Sequence, residues 1–166
     1  MKKIVIFLLC FLFVFLASCG KDDIRLPENV SYYDTISVIG LAANAKESLS
    51  TEITYMDVSG EVLETAGGIR LDLCDQYICQ KSDEEKLDEY GIFHVSDADK
   101  TEVLYQSVLS YVSGRKNDTV TLSHYEDADT VKNGSVAMYG NYVIYTFLSG
   151  NGNAEFQNCV QSLLTQ

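Results

Sequence analysis

The residues with the most defined chemistry stand near the start of the chain. Leu16-Ala17-Ser18-Cys19 closes the apolar run Ile4 to Leu16, which follows Lys2 and Lys3. A positive end, a short apolar stretch and two small residues before a cut make a secretory leader. A cysteine directly after that cut makes it a lipobox. Leu16, Ala17 and Ser18 are then the signal-peptidase recognition residues, and the Cys19 thiol carries a diacylglyceryl group with palmitate-type chains. The apolar run is shorter than the ~20 residues that cross a ~30 Å hydrocarbon core, so it does not read as a permanent span. Two acyl chains anchor firmly, at roughly 0.8 kcal/mol per buried methylene. The expected location is the extracytoplasmic face of the cell membrane, with the protein attached to that membrane through Cys19.

The other groups that could do chemistry are sparse. His94 lies in an alternating strand-like stretch and reads as a packed sheet residue. His124 stands beside Tyr125, Glu126 and Asp127 in a polar segment, without a recognisable nucleophile. No Gly-x-Ser-x-Gly elbow and no His-Glu-x-x-His pair occurs. Asp97-Ala98-Asp99 begins like a calcium loop, but the sixth and twelfth positions hold Glu102 and Val108 where Gly and Glu are needed. Glu126, Asp127 and Asp129 form a denser acidic stretch that could take a weak surface cation. Cys74 and Cys79 lack the spacing of a zinc site, and Cys159 falls on an apolar helical face. No catalytic residue, metal or cofactor is assigned. The contact residues picked out are Arg115, His124 and Tyr125.

Composition narrows the partners. Removal of residues 1–18 from the 166 leaves 148, enough for one domain with a real core, and takes away Lys2 and Lys3, moving the formal charge from −12 to −14. Such an acidic surface argues against nucleic acid, whose phosphates need clustered Lys and Arg. The eleven tyrosines and absent tryptophan leave room for a contact surface. Tyr90, Tyr105, Tyr142 and Tyr145 are expected in the core, while Tyr32, Tyr33 and Tyr125 are candidates for contact.

These residues must be positioned by a single α+β domain over 31–166, after a leader at 1–18 and a lipidated tether at 19–30 that holds the only proline. Apolar residues including Ile36, Ile39 and Ala43 predict a first helix over 35–49. Ser59 is placed to cap a short helix ending at Gly67-Gly68. Strands are expected over 75–81 and 87–95. A helix follows over 97–113, with Leu104, Val108, Tyr111 and Val112 on one face and Gly114 as its C-cap. A polar loop spans 115–130. Gly140-Asn141 joins a hairpin of 135–139 and 142–148, whose second strand is apolar on both faces and therefore central. Phe156, Cys159, Val160, Leu163 and Leu164 mark a closing helix. The order ββα-ββα, after an N-terminal helix, predicts a four-stranded antiparallel sheet with helices packed on one face.

The run Glu89-Tyr90-Gly91-Ile92-Phe93-His94-Val95, with Val131-Lys132-Asn133, Val136, Gly140-Asn141-Tyr142-Val143 and the closing helix, resembles a family of small Gram-positive lipoproteins. That family is known as domain of unknown function forty-three fifty-eight. The resemblance covers roughly Leu73 to Leu164. Its members follow the central helix with Arg, Gln and Tyr at intervals; Arg115 and Tyr125 stand here, and the glutamine is not evident. The resemblance implies lipidation and an extracytoplasmic domain, and it implies no activity. The expectation is a non-enzymatic binding or interaction module for an envelope protein or a small ligand. A small cell-envelope enzyme and a transport-linked solute-binding lipoprotein are the alternatives.

Overall fold

The computed structural model describes residues 23–25, 30–83 and 85–165. The lipobox residues Leu16, Ala17, Ser18 and Cys19 lie outside them, as does the leader. The fold is α+β, built on one six-stranded sheet. Its strands are β1 (Asp23–Arg25), β2 (Tyr55–Asp57), β3 (Gln76–Ser82), β4 (Glu89–His94), β5 (Ser135–Tyr139) and β6 (Tyr142–Phe147), in the spatial order β1-β5-β6-β4-β3-β2. All neighbours pair antiparallel except β1, which runs parallel to β5. The helices are α1 (Val38–Glu47), α2 (Gly60–Thr65), α3 (Ala98–Asn117), α4 (Thr119–Leu122), α5 (Ala128–Lys132) and α6 (Gly152–Leu164).

Two expectations about the architecture are corrected. The sheet has six strands and not four, because β1 and β2 add three-residue edges too short to show a period of two. β1 also lies inside the segment read as tether. Helices cover both faces rather than one. Every residue of β4 and β6 is buried, and a strand buried on both sides needs apolar cover on both. Phe93, Val143, Tyr145 and Phe147 pack under α3 with Leu104 and Val108. Tyr90, Ile92 and Ile144 pack on the other face against α1 and α6, through Leu41, Phe156 and Val160.

Local signals mostly hold. Ser59 accepts a hydrogen bond from the Val62 N–H, and Gly68 follows that helix at φ +68°. The β5–β6 turn is Gly140-Asn141, with positive φ at Gly140 only, as the first turn position of a II′ hairpin requires. α6 buries Phe156, Val160 and Leu164, with Cys159 and Leu163 partly buried beside them. α1, however, buries Val38, Leu41, Ala42 and Ala45, and leaves Ile39 67% exposed, so its inner face differs from the expected one. α3 starts at an Asp97 cap and runs through Gly114 to Asn117, with Arg115 and Lys116 in the last turn, where cations suit the helix dipole. The stretch 115–130 is therefore not a plain loop: it ends α3, and it holds α4, capped by Asp118, and the start of α5.

Candidate binding cleft

The extra turn of α3 sets up the site, because it carries Arg115 over the start of β4. There Glu89 enters the sheet with its side chain 6% exposed. Arg115 Nη1 donates to Glu89 Oε2 at 2.8 Å and to Tyr111 Oη at 2.7 Å. Tyr111 and Tyr145 each donate a hydroxyl proton to Glu89 Oε1, at 2.6 Å. Since the Tyr145 proton is committed to Glu89, the Cys79 thiol is the donor in its 2.7 Å contact with Tyr145 Oη. The guanidinium also lies 5.3 Å from the Phe147 ring centre, within cation–π range.

Gly91 makes this arrangement possible. It pairs across the sheet with Tyr145, and a Cβ there would fall 2.4 Å from Tyr145 Cε1. Without a side chain at 91, the Tyr145 ring lies across β4 and reaches Glu89. Burial raises the Tyr145 hydroxyl far above its usual range, with the Glu89 charge adding to it. Burial and the Glu89 charge likewise raise Tyr111. Both phenols thus remain proton donors. The Arg115 guanidinium, despite burial, is held cationic by Glu89.

This network forms one wall of a cleft of about 1360 Å³ at the end of the sheet. The β3–β4 turn, the residues after α3 and Ser149 after β6 converge there. Asp127 Oδ2 accepts from the Leu87 N–H at 2.9 Å and ties the segment after α4 to the turn. The cleft carries both signs of charge: Lys81, Lys86 and Arg115 against Glu85, Asp88, Glu89, Glu126 and Asp127. Arg115, His124 and Tyr125, singled out from the sequence, all line it. Tyr125 is 39% exposed. Glu89, Tyr111 and Asp88, which also line the cleft, were missed as site residues. The available signal was an acid opening an otherwise apolar strand, together with Tyr111 and Arg115 one helical turn apart.

The remaining candidates sit elsewhere. His94 is at the opposite end of β4, its ring nitrogens 2.8 Å from Asp75 Oδ1 and Asp34 Oδ1. With both nitrogens engaged, this ring fastens the segment before α1 to the sheet. Tyr142 strengthens the fastening by donating to the Ile36 carbonyl at 2.8 Å. Tyr90, Tyr105, Tyr142 and Tyr145 are buried, and Tyr33 is 47% exposed. Cys74, Cys79 and Cys159 are free thiols. Among the described residues no group of three or more His, Cys, Asp or Glu could hold a metal ion, and no helix is long and apolar enough to cross a membrane. Asp129 pairs with Lys132 at 2.9 Å on the surface.

No protein-family model matches the chain, and neither the curated proteins nor the solved structures give a match.

Proposed function

We propose that this protein is a non-enzymatic binding module, held on the outer face of the cell membrane by a lipid at Cys19, whose cleft receives a small polar ligand or peptide of the envelope. The kinship with the small Gram-positive lipoproteins named above belongs to the same proposal and rests on the strand, turn and hairpin residues quoted for it. The observation that carries the binding reading is the part-buried Glu89–Arg115–Tyr111 network in the wall of a wide cleft. Ion pairs taken out of water add little net stability relative to apolar packing, so their placement beside a cavity favours recognition. Walls of both signs suit an amphoteric ligand, whose carboxylate meets Lys81, Lys86 or Arg115 and whose amine meets the acids.

The test is calorimetric titration of free tri- to pentapeptides and amino sugars into wild type and Arg115→Met. At least one class should bind at one per chain and weaken tenfold or more in the variant. Absence of saturable binding across the panel would refute the reading. Membrane fractionation of Cys19→Ala tests the anchor: the variant should be released or left unprocessed, whereas wild-type behaviour would refute lipidation. A cell-envelope enzyme is the second reading, favoured by His124 lining the cleft beside Glu126 and Asp127. Turnover of a panel compound, lost in His124→Ala, would replace the binding reading.

A further inference from the structure

Asp88 is almost wholly buried, at 1% exposure, and its two carboxylate oxygens have unequal fates. Oδ1 accepts the Ser149 N–H at 2.8 Å, while Oδ2 is buried without a hydrogen-bond partner. A buried polar oxygen left in that state costs free energy until a donor reaches it. A second unmet group stands close by. The Tyr55 hydroxyl is also buried without a partner. Its ionisation is disfavoured first by burial and then by the Asp88 charge, which places the two groups in each other's field.

Asp88 and Tyr55 both line a small pocket of about 10 Å³, space for one group the size of a water molecule. Its lining mixes apolar Leu49, Ile53 and Leu148 with two acids, Asp88 and Glu155. Glu155 accepts from the Ser50 N–H at 3.0 Å and from the Ser50 hydroxyl at 2.7 Å, and no Lys or Arg lines the pocket. Thr51, Asp88 and Ser149 line this pocket and the large cleft alike, so the two adjoin.

We infer that this pocket is the subsite for a primary ammonium group, with Asp88 Oδ2 and the Tyr55 oxygen as its acceptors. The inference rests on the cleft reading above and names the chemistry at one end of its ligand. An ammonium group brings three N–H donors and a positive charge, whereas a water molecule supplies donors and no charge. A hard divalent metal would need about six oxygens, more than so small a pocket presents. A peptide and an amino sugar both carry the recognised group.

The experiment is thermal unfolding of the full-length protein in detergent micelles, titrated with methylammonium chloride. Sodium chloride and tetramethylammonium chloride at equal ionic strength serve as controls. Methylammonium should raise the melting temperature saturably, and the other two should not, since sodium has no N–H and tetramethylammonium has neither N–H nor a fitting size. Asp88→Asn keeps the acceptor for Ser149 and should lose the response. Tyr55→Phe should weaken it about tenfold, which covers the case of an Asp88 variant that fails to fold. Equal shifts with sodium, or a full response in folded Asp88→Asn, would overturn the inference. If peptides bind in an Arg115-dependent way while methylammonium gives no shift, this inference falls and the cleft reading survives. If methylammonium binds at Asp88 and no peptide or amino sugar does, the cleft reading falls and the ammonium site stands.

Discussion

Arg115→Ala tests the energetics of the cleft wall. The substitution leaves Glu89, with its side chain 6% exposed, without its cation, while Arg115 itself is 33% exposed. Breaking a fully buried pair by removing one partner costs about 3–5 kcal/mol. Here water reaches the vacated side and Tyr111 and Tyr145 still donate to Glu89, so the cost falls to about 2–3 kcal/mol by the same reasoning. For a domain of this size that lowers the melting temperature by roughly 5–10 °C. The sign of the double variant is more telling. Glu89→Gln added to Arg115→Ala removes the stranded charge, so the pair should be more stable than Arg115→Ala alone. Urea unfolding of wild type, both single variants and the double variant gives the coupling energy directly. If Arg115→Ala lies within about 0.5 kcal/mol of wild type, or Glu89→Gln deepens its loss, the Glu89–Arg115 network is not what holds this wall.

Three further outcomes follow from the geometry. Burial pushes the Asp75 carboxyl up, but the hydrogen bond and charge of His94 outweigh it and hold that carboxyl below its usual value. Its stabilisation is therefore full above about pH 4 and lost as pH falls through the depressed folded value. Asp75→Asn should flatten the melting-temperature profile below pH 4, and an unchanged acid slope would contradict this. Burial, followed by the Asp75 and Asp72 charges, lifts the Cys74 thiol to about 12, and burial raises Cys79 too. At pH 8 about one Cys74 in ten thousand is thiolate, so peptide mapping should find Cys74 and Cys79 unmodified by iodoacetamide until the protein is unfolded. Fast native labelling of either would refute it. Gly91→Ala drives a methyl into the Tyr145 ring and should cost about 1–3 kcal/mol by urea unfolding. A neutral result would mean that the ring does not need that space.

The parts of the fold legible in the sequence are those whose periodicity is long or whose turn chemistry is restrictive. β6 declares itself by Tyr142, Val143, Ile144 and Tyr145 in succession, α6 by Phe156, Val160 and Leu164, and the hairpin by Gly140. That same doubly apolar β6 already demanded cover on both faces, and this is where the single-faced expectation went wrong. α1 misleads because Ile39 keeps an apolar side chain in water while small Ala42 and Ala45 face inward. The cleft was half legible. Arg115, His124 and Tyr125 stand out as polar residues after a helix, but Glu89 and Asp88 become site residues only when β4 pairs with β6 and α3 folds over them. Such long-range pairing leaves no local pattern. Gly114 shows the same limit: as a residue it signals a stop, yet α3 continues past it and places Arg115 on Glu89.

The central claim is that the end of the sheet by Glu89 and Arg115 is where this protein meets its ligand. Amide chemical-shift mapping of the unlipidated chain from residue 20 onward, titrated with the peptide and amino-sugar panel, tests it most directly. Saturating shifts should concentrate at Lys81, Asp88, Glu89, Tyr111, Arg115 and the segment His124 to Asp127, leaving the His94 end of β4 unchanged. Shifts centred on His94, Asp34 and Asp75, or none anywhere, would contradict the account.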